Sequence, residues 1–171
     1  FGKVDRISPE APVPIVNIQK EESRLGGASN VANNIVSLGG HSLLCGVIGH
    51  DLFGKEIERI SRHKNIDTFL LKTSSPTITK ARIIGGKQQI VRVDYEDKSE
   101  LNADNKKLFR DTISRILPEY DILVISDYGK GLISEDLCRY LIKLAHKYDK
   151  KVIIDPKGKN WEKYSGADIV T

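Results

Sequence analysis

The chain has 171 residues, 39% of them hydrophobic and 29% charged, with a formal net charge of +4. This is an ordinary globular composition, long enough for one domain with a sizeable core or for most of a larger one. The basic residues are spread rather than gathered in runs and no base-reading motif accompanies them, so nucleic acid is not an expected partner, while an anionic small substrate suits the balance. No apolar run approaches the 18 or more residues that would span a membrane, and no secretory signal is visible. Cys45 and Cys138 lie far apart at no metal-ligand spacing; they read as reduced, buried thiols of a cytoplasmic protein.

The opening "VDRISPEAPVP" holds three prolines and little periodicity, so it reads as extended or looped. Residues 13–20, "VPIVNIQK", alternate and read as a strand. After Gly26-Gly27, the apolar residues Val31, Ile35 and Leu38 recur at helical spacing, and Gly39-Gly40 ends that helix. "HSLLCGVIG" is a buried strand, "LFGKEIERISRHK" a helix with Leu52, Ile57 and Ile60 facing inward, and "DTFLLK" a short strand. The strict alternation over residues 77–95 predicts a half-exposed β-hairpin turning at Gly85-Gly86. In that alternation Lys80, Arg82 and Ile84 share one face, as do Gln88, Ile90, Arg92 and Asp94.

A helix from about Asp104 to Leu117 is closed by Pro118. "DILVIS" has the continuous apolar character of a central parallel strand. Ser134 is the expected N-cap of a helix over 134–149, with Glu135 and Asp136 in its first turn. "KVIID" and "ADIVT" are further strands. Strand and helix alternate, which predicts an α/β fold with a doubly wound, mostly parallel sheet and right-handed crossovers. Residues 13–20 and 77–95 do not fit that scheme and are expected to project as a small separate sheet.

In such sheets ligands collect at the carboxyl ends of the strands. Three of these ends carry polar residues: His50-Asp51, Asp127-Tyr128-Gly129-Lys130-Gly131 and Asp155-Pro156-Lys157-Gly158. Asp and Gly after a strand are also common turn residues. Gly26-Gly27 before a helix is either turn chemistry or a place where a ligand lies against backbone N–H groups at the positive end of the helix. Asn30, in the first turn, offers a donor and an acceptor, as sugar hydroxyls require.

The stretch from Gly26-Gly27-Ala28-Ser29-Asn30-Val31-Ala32 through Gly39 to Gly49 resembles the first signature of the ribokinase, or PfkB, family of carbohydrate kinases. "RISPEAPVPIV", "PTITKARII", "QQIVRVDYE", "SDYGKG" and "IDPKG" are similar to the heptose 7-phosphate kinase branch. That domain is often fused to an ADP-heptose adenylyltransferase domain. The resemblance runs from Arg6 to Thr171 and implies a ribokinase-like fold with a β-sheet lid, built here from about 13–20 and 77–95, through which homodimers form. It implies ATP-dependent phosphorylation, with Mg2+, of D-glycero-D-manno-heptose 7-phosphate at the anomeric oxygen, in ADP-heptose and lipopolysaccharide core biosynthesis.

By the same resemblance, Gly26, Gly27 and Asn30 hold sugar hydroxyls and Arg6 and Glu10 line the pocket. Lys80 and Arg92 meet the 7-phosphate, with Arg82 and Gln88 as same-face rivals. Asp127 and Lys157 stand near the sugar or the transferring phosphoryl group. The family's first strand is expected before Phe1. The Asn-x-x-Glu element and the Gly-Ala-Gly-Asp motif with the catalytic base are expected after Thr171, so the chain reads as the N-terminal part of one kinase domain, inactive alone. Other readings are a kinase for a different sugar or nucleoside, or a non-catalytic lid-mediated dimerisation or sugar-binding module.

Overall fold

In the computed structural model, which describes residues 1–171, the chain runs β1 (Gly2–Ile7), β2 (Pro14–Ile18), α1 (Ala28–Ser37), β3 (Leu43–Gly49), α2 (Leu52–His63), β4 (Asp67–Thr73), β5 (Thr79–Gly85) and β6 (Gln88–Tyr95). It continues through α3 (Ala103–Ile116), β7 (Ile122–Ser126), α4 (Glu135–Lys147), β8 (Lys151–Asp155) and β9 (Ile169–Val170). No helix is long and apolar enough to cross a membrane.

The prolines of the opening do not keep it out of a sheet. Residues 2–7 form β1, paired antiparallel with β2, where extended or looped chain was expected. Pro9 and Pro12 fall in the connection between the strands, and Pro14 is the first residue of an outer strand, where a missing N–H breaks no ladder. β1 also pairs parallel with β5 at Gly2–Gly85, giving a four-stranded small sheet in the order β2-β1-β5-β6.

The α/β body has the expected parallel strands and helices, its strands forming two hydrogen-bonded blocks, β3-β4 and β7-β8-β9. Helix α1 touches both β3 and β7. Phe69 of β4 meets Phe109 of α3 at 5.7 Å between ring centroids, so side-chain packing carries the core across the gap. The main core centres on α4, which buries Leu137, Leu141, Ile142, Leu144 and Ala145 against Val152 and Ile154 of β8 and against Phe109, Ile113 and Leu117. Each such aliphatic side chain contributes about 1.5–3 kcal/mol on burial.

Two residues placed inward by the sequence pattern are exposed. Leu38 follows the last turn of α1 and is 88% exposed; Leu52 is 78% exposed. Leu52 lies five positions before Ile57, about 140° round the helix from that stripe. Cys138 is fully buried and Cys45 partly so, and burial pushes their thiols up to about 11 and about 12 respectively, which keeps both protonated.

Candidate functional site

The loop after β7 is shaped by a buried carboxylate. Asp127 is 3% exposed. It accepts hydrogen bonds from Gly129 N–H (2.7 Å) and the Tyr164 hydroxyl (2.7 Å), and pairs with the Lys163 ammonium (2.5 Å). Tyr164 in turn accepts from Lys157 N–H at 3.0 Å, which ties the loop after β8 to the same centre. Burial alone pulls the Lys163 ammonium down, but Asp127 outweighs it and the net shift is upward. Burial, reinforced by the Asp127 charge, raises the Tyr164 phenol.

Asp127 and Lys157 therefore stand at neighbouring strand ends, as expected, but with opposite aspects. The carboxylate of Asp127, expected near the sugar or the transferring phosphoryl group, is turned into the protein and fully partnered. The Lys157 side chain is exposed and makes no hydrogen bond or ion pair. Nothing in the local sequence signals Lys163 and Tyr164, which reach Asp127 from a distant downstream loop.

The start of α1 lies beside this loop. Gly27 occupies the N-cap position at φ +53, and no side chain caps the helix. Its first N–H groups are therefore open donors at the positive end of the helix dipole. A Cβ on Gly27 would meet the Tyr128 ring at 3.5 Å, whereas one on Gly26 would meet nothing within 4 Å. The Ser29 hydroxyl donates to the Gly26 carbonyl at 2.6 Å and steadies the turn. Asn30 is exposed in the first turn with its amide unpartnered. Gly26, Gly27, Asn30 and the Asp127–Gly131 loop are thus gathered at one place.

The small sheet leans on that loop through its charged face. Register puts Lys80 opposite Asp94 and Arg82 opposite Arg92. Lys80 Nζ donates to Asp94 Oδ2 at 2.8 Å, and Arg92 donates from Nε and Nη2 to the same carboxylate at 2.8 and 3.1 Å. The Lys80 hydrogen bond, with that of Arg92, holds the Asp94 carboxyl below the usual range. The next residue of this face, Glu96, lies 4.0 Å from Lys80 and pairs with Lys130 of the β7 loop. Gly131, at φ +91, lets the Ser99 carbonyl approach to 2.3 Å of where a Cβ would stand. Gln88 is not on this face: a bulge between Ile83 and Ile84 pairs Ile84 with Gln89 and sends Gln88 opposite Gly85.

Asp51 is engaged by the protein's own groups. It caps α2 through Gly54 N–H (2.8 Å) and binds Thr77 through its N–H and hydroxyl, each at 2.7 Å. Thr77, fully buried, also accepts from Gly49 N–H at 2.8 Å. These contacts fasten the segment entering β5 to the body. Burial opposes ionisation of Asp51, but its hydrogen bonds to Thr77 and Gly54 prevail and lower its pKa. Arg6, on β1, and Glu10, in the β1–β2 connection, are exposed and bond to no other site residue. No three His, Cys, Asp or Glu side chains converge as a metal ion would require.

A parallel α/β body thus carries an uncapped helix start at its strand ends with a small β-sheet beside it. Residues 2–171 match the pfkB family of carbohydrate kinases, and the chain belongs to that family. The bifunctional protein HldE of a Helicobacter pylori strain is 46% identical over 173 residues, covering 100% of this chain and 38% of that protein. HldE of a Nitratiruptor species is 42% identical over 170 residues, 99% of this chain and 36% of that protein. Among solved structures, phosphofructokinase-2 from Escherichia coli in complex with fructose-6-phosphate shares the fold with a TM-score of 0.62 at 20% identity, over 95% of this chain and 52% of that one. A carbohydrate kinase from Agrobacterium tumefaciens gives 0.64 at 16% identity, over 91% and 49%. The chain therefore spans little more than a third of these curated relatives and about half of the solved kinases.

Proposed function

We propose that the protein containing this chain phosphorylates D-glycero-D-manno-heptose 7-phosphate at its anomeric oxygen, giving the 1,7-bisphosphate that feeds ADP-heptose and lipopolysaccharide core synthesis. The observation that carries this reading is the open start of α1, with bare backbone at Gly26 and a free amide at Asn30, beside a flap bearing Lys80 and Arg92. The identity to bifunctional HldE proteins along the whole chain supports it.

In this reading the α1 N–H groups and Asn30 bind and orient the sugar hydroxyls. Lys80 and Arg92 meet the 7-phosphate, Lys157 offsets charge on the transferring group, and Arg6 and Glu10 line the rim. Asp127 holds the loop between them in shape. ATP and Mg2+ would supply the phosphoryl group and its charge compensation. In this reading their sites and the catalytic Asp belong to the part of the kinase that this chain, spanning 38% of its HldE relative, does not cover. The protein is read as cytoplasmic, fused to an adenylyltransferase domain and dimeric through the small sheet.

The test is ADP release by the full-length gene product with heptose 7-phosphate, unphosphorylated heptose, fructose 6-phosphate and ribose. Heptose 7-phosphate is expected to give the highest kcat/KM, and residues 1–171 alone no turnover. Preference for another sugar would overturn the assignment.

A further inference from the structure

The Asp127 carboxylate gathers groups from the loops after β7 and β8, and one branch of its network ends on Lys157. The Tyr164 hydroxyl oxygen stands 2.7 Å from Asp127 Oδ2, 3.0 Å from the Lys157 amide nitrogen and 3.1 Å from the Lys157 carbonyl oxygen. That hydroxyl has one hydrogen to give. The anionic acceptor at 2.7 Å takes it in preference to the neutral carbonyl at 3.1 Å, which leaves the phenolic oxygen to accept from Lys157 N–H. Donation to a carboxylate polarises the hydroxyl and strengthens that second bond. Asp127 Oδ1 meanwhile fixes Gly129 N–H at 2.7 Å. Gly129, at φ +62, runs so close that a Cβ on it would lie 3.5 Å from Lys157 Cγ. One buried carboxylate thus sets both the backbone of Lys157 and the surface over which its stem passes.

The Lys157 side chain bonds to nothing, so its ammonium is aimed only from its own backbone. The Lys163 ammonium that partners Asp127 is itself held by the Ile133 carbonyl at 2.8 Å. A buried ion pair of this kind seldom stabilises a fold more than apolar side chains of like volume; here it adds a fixed geometry for two loops. We infer that Tyr164 is a positioning residue for Lys157: its hydroxyl, set by Asp127 and Lys163, fixes the loop from which the Lys157 ammonium reaches the transferring phosphoryl group. This rests on the kinase reading above, in which Lys157 offsets charge there, and adds a residue that acts without touching either substrate.

The experiment measures ADP release with heptose 7-phosphate by the full-length wild type, Tyr164→Phe, Lys157→Ala and the double variant, with amide hydrogen exchange over residues 155–160 on the same samples. Tyr164→Phe removes one oxygen and keeps the ring. It is expected to lower kcat about tenfold through misplacement of the ammonium, to leave KM for the sugar within about twofold and to speed exchange at Lys157. In the Lys157→Ala background the same substitution lowers kcat less than about twofold, because no ammonium is left to misplace. Loss by the same factor in both backgrounds would make Tyr164 a structural residue only and overturn the inference. Unchanged kcat in Tyr164→Phe, a loss that falls on KM instead, or unaltered exchange at Lys157 would overturn it too. If Tyr164→Phe does not fold, Asp127→Asn/Lys163→Met, which loosens the hydroxyl without leaving a buried charge unpaired, carries the same comparison with a smaller loss. Wild-type kcat in Lys157→Ala would remove the role of Lys157 and the inference with it. Should the wild type not turn over heptose 7-phosphate, the proposed function fails, and exchange at Lys157 still decides whether Tyr164 fixes that loop.

Discussion

At the scale of single residues, two glycines near the start of α1 and the β7 loop serve different ends. Gly131 sits at φ +91 with a neighbouring carbonyl 2.3 Å from any Cβ, so Gly131→Ala forces the Glu96–Ser99 segment away as well as incurring the left-handed cost of about 1–2 kcal/mol. Gly26 has open space instead. Gly26→Ala is expected to leave stability within about 0.5 kcal/mol yet raise KM for the sugar, because the added methyl fills space the ligand needs. Thermal melts paired with steady-state kinetics on both variants separate a turn glycine from a ligand-facing one. Asp127 yields a second prediction. Lys163→Met strands a buried carboxylate whose partner ammonium is only 15% exposed, at a cost of about 3 kcal/mol. The thermal midpoint should drop by roughly 6–12 °C. The double variant Asp127→Asn/Lys163→Met should recover much of it, since no unpaired charge is then buried.

At the scale of elements, the small sheet is fastened where the chain enters β5 and where it leaves β6. Thr77 fixes the way in through Asp51, and Asp97 fixes the way out by accepting from the Ser75 hydroxyl and from Ser99 N–H, each at 2.8 Å. Ser99, through its hydroxyl and N–H, and Ser75 hold the Asp97 carboxyl down at about 2. A depressed carboxyl stabilises the fold above its unfolded pKa near 3.9, and that contribution is lost as pH falls from about 4 towards 2. Acid titration followed by circular dichroism should therefore show a shallower slope in this window for Asp97→Asn than for the wild type.

These elements were largely legible in the sequence. The hairpin alternation, the Ser134 cap and the apolar strands each reflect a local rule, and Ser134 does accept from Leu137 N–H at 3.4 Å. The rest depended on distant partners. β1 is a strand only because β2 and β5 flank it. The bulge that displaces Gln88 leaves no mark in the alternation. Asp127 is turned inward by Lys163 and Tyr164, which the chain delivers from another loop.

At the scale of the whole molecule, the small sheet has an apolar face opposite its charged one. Register groups Ala81, Ile83, Val91 and Val93 there, and Val91 and Val93 remain 44% and 37% exposed. In the dimer proposed above a second copy covers this face. Val93→Glu should then convert the full-length protein from dimer to monomer in sedimentation velocity, with β7–β9 intact by hydrogen exchange. A dimer that survives the substitution would place the contact elsewhere.

The parallel pairing of Gly2 with Gly85 has a consequence for biogenesis. At a ribosomal rate of about 5–20 residues per second, β1 leaves the exit tunnel roughly 4–17 s before its neighbour. Throughout that delay the nascent hairpin offers an unsatisfied edge to any passing strand. The adjacent charges of Lys3 and Asp5, paired at 3.3 Å, blunt that edge in the manner of gatekeepers against misassembly. The small sheet is thus begun by β1 and β2 and completed only when β5 and β6 arrive.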